Sequence, residues 1–293
     1  MDYLLLALSV FSSGTRNGLS RLCKKKSVHL FNTIVFLLAL LVVFVISIGS
    51  DFSISWYSVI IAIFYAGFTL VAQLFSIRAV RLGDIGLSSL VYHCGFIIPT
   101  VFSALIWKEN FGITKIIGII IILCSFVLST EKKGKTGGIV WLISAIIALS
   151  GSGLVGVTQK IYMKSGYGGE LTSMLLIVFA LLSLISFVLY LTTERSKINN
   201  AKNLSQSERE ISKKELIITM IAGSGMGVCI ALANKINTYL SGVISGVIFF
   251  PVVNGGSILF SMVVGFIFFK EKATFKKMLS ILMGIIAIVL MVL

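Results

Sequence analysis

The sequence predicts an all-α membrane protein in which ten transmembrane helices form two inverted five-helix repeats. Three observations lead to that class. Of 293 residues, 57% are hydrophobic and only 12% charged, and the mean hydropathy is +1.04; a soluble fold of this length needs far more polar surface. Apolar stretches recur from Tyr3 to Leu293 with no gap wide enough for a separate soluble domain. The first and second halves also resemble each other in sequence.

Each apolar stretch is justified by the thickness of the bilayer. About 20 apolar residues in a helix cross a hydrocarbon core of roughly 30 Å, and unpaired backbone groups in lipid exclude any open alternative. That rule places spans at 3–22, 30–48, 55–79, 84–107, 112–130, 138–159, 170–193, 216–236, 242–268 and 274–293. Connections between most of them are short, so neighbouring helices are antiparallel. The opening stretch, 3–22, lacks a basic start and an A-x-A-like cleavage site, so it reads as a retained first helix and not a signal peptide.

Lys and Arg set the orientation. Of 25 such residues, nineteen fall on one side, in clusters such as Lys24-Lys25-Lys26 and Lys132-Lys133. Lys108, Lys115, Lys160, Lys164 and Lys235 fall on the other, and Arg16 lies inside the first span. The basic side is expected in the cytoplasm, with both termini outside. Trp56 and Trp107 are then expected as anchors at the outer interface and Trp141 at the inner one. The net charge of +14 suits anionic headgroups, not nucleic acid, because no basic soluble module is present.

The longest polar stretch, about 194–215, reads as a solvated cytoplasmic loop. Ser205 and Glu208 also match a capping box that would extend the eighth helix into the cytoplasm. Cys23, Cys94, Cys124 and Cys229 stand singly, without zinc or redox spacing, and read as packing residues.

The internal repeat aligns Ala7 with Ala145, Ser12 with Ser150 and Gly18 with Gly156, and later Trp107-Lys108-Glu109 with Phe269-Lys270-Glu271. The polar stretch accounts for the larger offset of the second pair. Five spans per repeat force the second copy to insert upside down, with a pseudo-two-fold axis in the membrane plane. The resulting division is 1–135 and 136–293.

Over Ala79 to Ser125 the chain resembles the drug/metabolite transporter superfamily, specifically its ten-helix EamA-like members. Ala79-Val80-Arg81-Leu82-Gly83 is similar to the turn closing the third helix, and Pro99 sits mid-way in the fourth. Lys108-Glu109 resembles the Gly-Glu usual at that helix's end, with Gly118 in the fifth, and Lys270-Glu271 and Gly284 repeat the pattern less faithfully. Lys thus replaces the usual Gly at both positions. The resemblance implies two EamA-like repeats and a secondary transporter that moves a small polar metabolite across the cytoplasmic membrane by alternating access. An anionic or zwitterionic solute, such as an amino acid, is the expected cargo. A channel-like or lipid-translocating protein and a broad-specificity drug exporter are the alternatives.

Arg16 is the most informative single residue. A guanidinium within a span costs about 2.5–3.5 kcal/mol on insertion scales, so it either faces a polar cavity, where its planar fork suits a carboxylate or phosphate, or snorkels toward Arg21. Asn17, Gln73, Tyr92, His93, Gln159, Asn234 and Asn254 are the other polar groups at depth, able either to orient substrate or to join two helices. His93 is also a candidate proton carrier. Pro99 and Pro251, the two prolines, are expected to bend their helices and free carbonyls toward a cavity.

Gly151-Ser152-Gly153-Leu154-Val155-Gly156 spells a dinucleotide fingerprint but follows no strand, so it reads as small-residue helix packing. No metalloprotease, serine-hydrolase or ATP-binding motif is present, so neither enzyme activity, a metal nor a cofactor is expected, and an ion gradient of protons or sodium is the expected energy source. The absence of an acid in the first span beyond Asp2 argues against proton-coupled efflux of lipophilic cations. The expected assembly is a monomer or homodimer.

Overall fold

The computed structural model describes residues 1–19, 28–48, 52–83, 85–129, 138–193, 206–268, 270 and 274–292. Their regular structure is helical throughout. The elements are α1 (Asp2–Leu19), α2 (Val28–Ser47), α3 (Trp56–Leu82), α4 (Ile85–His93), α5 (Ile97–Ile106) and α6 (Ile113–Ser129). They continue with α7 (Ile139–Lys164), α8 (Leu171–Thr193), α9 (Gln206–Val243), α10 (Gly246–Phe268) and α11 (Phe275–Val292). Helices α4 and α5 are two parts of the fourth expected span, so ten helical segments occur in the expected order among the described residues. Seven are long and apolar enough to cross a membrane by length and composition alone.

Beside an apolar core, many large apolar side chains face outward and many polar ones inward. Large apolar side chains such as Trp56, Leu105, Ile113 and Phe275 are exposed, whereas Ser9, Ser58, Ser103, Ser125, Thr238, Ser280 and Lys160 are buried. Lipid is as apolar as leucine, so helices gain little by hiding leucine from it and associate through small residues and hydrogen bonds. At Gly151 an added Cβ would sit 2.9 Å from Ala72 N and 3.0 Å from Phe68 O; at Gly153 it would sit 2.7 Å from Gly95 O. The dinucleotide-like letters are therefore the surface on which α7 meets α3 and the α4–α5 joint.

Several packed helix pairs have a counterpart when each span is exchanged for the one five places on, whereas α7 on α9 and α10 on α11 have none. Packing of α3 on α7 has its counterpart in α1 on α9, α2 on α9 in α3 on α8, and α1 on α10 in α7 on α4 and α5. The pairs α2–α8, α5–α10 and α6–α11 map onto themselves. Between α6 and α11 the bonds are reciprocal: Ser125 donates to Ser280 O at 2.9 Å and Ser280 donates to Ser125 O at 2.8 Å. Lys108 and Lys270 share a left-handed φ of 51°, a conformation that favours glycine.

Several expectations need correction. The polar stretch is not loop throughout, since α9 already begins at Gln206. The proposed cap Ser205 lies outside the described residues, as do Arg21, Lys24 to Lys26, Cys23, Lys132, Lys133, Phe269 and Glu271. Helix α7 runs past 159, so Lys160 is helical and buried and not a loop charge, and Lys235 lies within α9. The fourth span breaks before Pro99, with a 3-10 turn at Cys94–Phe96, because the pyrrolidine ring clashes with the carbonyl four residues back. Pro251 interrupts nothing: α10 is continuous through it.

Trp56 is exposed as an anchor should be. Trp141 instead donates its indole N–H to Ser88 at 2.8 Å, and Trp107 lies beneath the Lys160 ammonium. Both join the halves, since an indole pairs an apolar body with one donor.

Candidate functional site

A cavity of about 390 Å³ lies between the two halves, within the usual range for small-molecule sites. Every span except the fifth and tenth contributes to its lining. In the first half, α1 supplies Ser13, Arg16 and Asn17; α2 supplies Phe36; α3 supplies Tyr65, Thr69, Gln73 and Ser76; and the broken fourth span supplies Ser89, Tyr92, His93, Phe96 and Pro99. In the second, α7 supplies Ser152, Gly156 and Gln159; α8 supplies Phe179 and Leu182; α9 supplies Asn234 and Asn237; and α10 supplies Phe249, Phe250, Asn254 and Ser257.

All eight polar residues singled out from the sequence lie on this one cavity, as does Pro99; Pro251 does not. Proximity of residues drawn from six helices is a tertiary fact. The break at Cys94–Phe96 turns Tyr92 and His93 toward the space, their rings meeting edge to face with centroids 5.5 Å apart.

Tyr65 is the hub that the sequence reading missed. Its hydroxyl accepts from Gln159 Nε2 at 2.9 Å and donates to Asn234 Oδ1, while Asn234 Nδ2 donates to Ile230 O at 2.9 Å. The relay ties α3 to α7 and α9 across the two halves. Asn237 accepts from Ser9 of α1. Arg16 donates to Asn17 Oδ1 at 3.4 Å, and Asn254 Nδ2 donates to Phe250 O at 2.9 Å. A sequence signal for Tyr65 did exist: Tyr65, Thr69, Gln73 and Ser76 form one polar stripe at helical spacing on an otherwise apolar helix.

The lining contains Arg16 and no carboxylate or lysine among the described residues. Amides, hydroxyls and aromatic rings make up the rest of its polar and planar surface. Chemically, the cavity offers one fixed cation, several groups that both donate and accept, and an apolar floor from Phe96, Phe179, Phe249 and Phe250.

Comparison with known proteins bears on this architecture. Residues 1–130 match the EamA-like transporter family. That segment, under half of the chain, is similar to that family. The EamA-like segment holds the first five spans and ends within a residue of α6, and it supports a membrane transporter in general. A solved structure titled only "Crystal structure of protein" has the same fold, with a TM-score of 0.73 at 12% identity over 99% of this chain and 95% of that chain. No curated protein sequence matches. The chain is an integral, multi-pass membrane protein.

The EamA-like pattern also gives Lys108 a physical meaning. The Gly of the usual Gly-Glu would occupy the left-handed position that closes α5, and here Lys108 adopts it at φ 51°. The adjoining Glu109 accepts from Ser245 Oγ at 2.9 Å and from Val247 N at 3.3 Å at the start of α10, and it pairs with Lys160.

Proposed function

We propose that the protein is a secondary transporter that carries a small polar metabolite with a carboxylate or similar anionic group, as an anion or a zwitterion, across the cytoplasmic membrane by alternating access. The observation that supports this is the cavity itself, shared by spans one to four and six to nine, with Arg16 as its cation and no acid in its described lining. Substrate anion would take the Arg16 fork. Amides of Asn17, Gln73, Gln159, Asn234 and Asn254, with the Tyr92 hydroxyl and His93, would orient the remainder.

The helix pairs that do exchange, α3–α7 with α1–α9 and α2–α9 with α3–α8 among them, support two inverted repeats, 1–135 and 136–293. When two halves pack on each other through the same pairs, tilting one way or the other leaves comparable contacts, and both openings have comparable free energy. A gradient of protons or sodium would then supply the direction.

The test is a thermal-shift screen of the detergent-purified protein against organic anions, zwitterions and cations. Anions or zwitterions should stabilise it, by about 2.7 kcal/mol at a hundredfold excess over Kd, and the hits should show saturable counterflow in proteoliposomes. Stabilisation by lipophilic cations alone, or flux that does not saturate, would contradict the proposal.

A further inference from the structure

At the end of the bundle where α5 stops and α10 starts, beyond Gln159 and Pro99 of the cavity lining, lies a compact set of charges. Lys160 follows Gln159 on α7; its side chain is 0% exposed and pairs with Glu109, which is 15% exposed. The second Glu109 oxygen receives Ser245 Oγ and Val247 N, so the carboxylate sits on the N-terminus of α10, where unpaired N–H groups favour an anion. The ammonium also lies 5.3 Å from the Trp107 ring centroid. At Gly246 an added Cβ would collide with Ser103 Oγ and stand 2.7 Å from Lys160 Nζ, so the start of α10 packs closely on both side chains.

These groups come from both halves: Trp107 and Glu109 from the first, Lys160, Ser245 and α10 from the second. A second carboxylate makes the converse contact at the same end. Glu170, from the second half, accepts from Ser55 N at 2.8 Å and Ser55 Oγ at 2.7 Å at the start of α3 in the first. Each half therefore lends a carboxylate to a helix start of the other. From Gln159 the cavity lining extends away from this closure, toward Arg16 near the far end of α1 and Ser76 near the far end of α3.

We propose that the Glu109–Lys160 pair is the lock that keeps the cavity shut at this end while it faces the basic end, and that its release turns the cavity to the other side. The inference rests on the carrier reading above. A buried ion pair suits such a joint because its formation is close to balanced by desolvation, whereas either charge left buried alone is strongly unfavourable. Intermediate separations, with a charge neither paired nor fully hydrated, are therefore disfavoured, which favours two discrete states.

The test uses the full chain in sealed proteoliposomes, with Cys23, Cys94, Cys124 and Cys229 replaced by alanine and Gln159→Cys as reporter, treated from either side with a charged, impermeant thiol reagent. Without changes to the lock, the reporter should react from the basic side. Glu109→Gln and Lys160→Met should each raise reaction from the Glu109 side at least tenfold. Should the single variants not fold, the double Glu109→Gln, Lys160→Gln, which strands no charge, must show the same rise. Reaction from the basic side at one rate in every variant would overturn the lock and leave the carrier standing. A reporter that reacts from neither side would remove both.

Discussion

Replacing Arg16 by alanine is the sharpest test of what the cavity binds. Arg16 donates to Asn17 at 3.4 Å, the long limit of a hydrogen bond, so the protein itself loses little when the guanidinium is removed. A bound carboxylate would lose charge-assisted bonds of about 1.5–3 kcal/mol. At about 1.4 kcal/mol per decade, affinity for the acid should fall roughly 10- to 150-fold. Arg16→Lys keeps the charge and loses the two-pronged fork, so its loss should be smaller, about tenfold or less. The assay is equilibrium binding of a radiolabelled hit from the stability screen, run beside the primary amide of the same compound. That neutral analogue should bind the wild-type protein and Arg16→Ala equally. Equal affinity of the acid for both proteins would refute the assignment of Arg16 to the substrate anion.

Two further outcomes concern the scaffold. Gly153→Leu should destabilise the bundle by about 1–3 kcal/mol, because a Cβ there already meets Gly95 O and Ile98 Cβ at 2.7 Å; thermal unfolding in detergent measures it, and an unchanged midpoint would contradict the close approach of α7 to the fourth span. Lys108→Gly should stabilise by about 1 kcal/mol, since it relieves a left-handed φ of 51° in a residue with a Cβ; the same substitution at a half-buried position inside α6, Lys115→Gly, should lower stability instead.

Much of this was written in the chain before folding. The apolar stretches had to be helices, because lipid offers the backbone no other partner, and their lengths and order followed. The eight polar residues of the candidate site stood out because a polar group in hydrocarbon is costly unless a cavity or a partner receives it. Tyr65 escaped because a tyrosine in an apolar helix resembles ordinary packing until the stripe through Thr69, Gln73 and Ser76 is read with it. Lys160 escaped because a span ended at 159 leaves it in a loop; the helix continues to Lys164.

What the sequence alone determined was local and periodic: which segments form apolar helices and which residues are too polar to face the bilayer. The tertiary structure decided what those polar residues meet. Arg16 in α1 and Asn254 in α10 share one cavity, Glu109 finds Lys160 and the start of α10, and Glu170 finds Ser55 and Ser58. No periodicity carries that information, because in a membrane the partner of a buried charge is chosen by how helices far apart in the chain come to lie side by side.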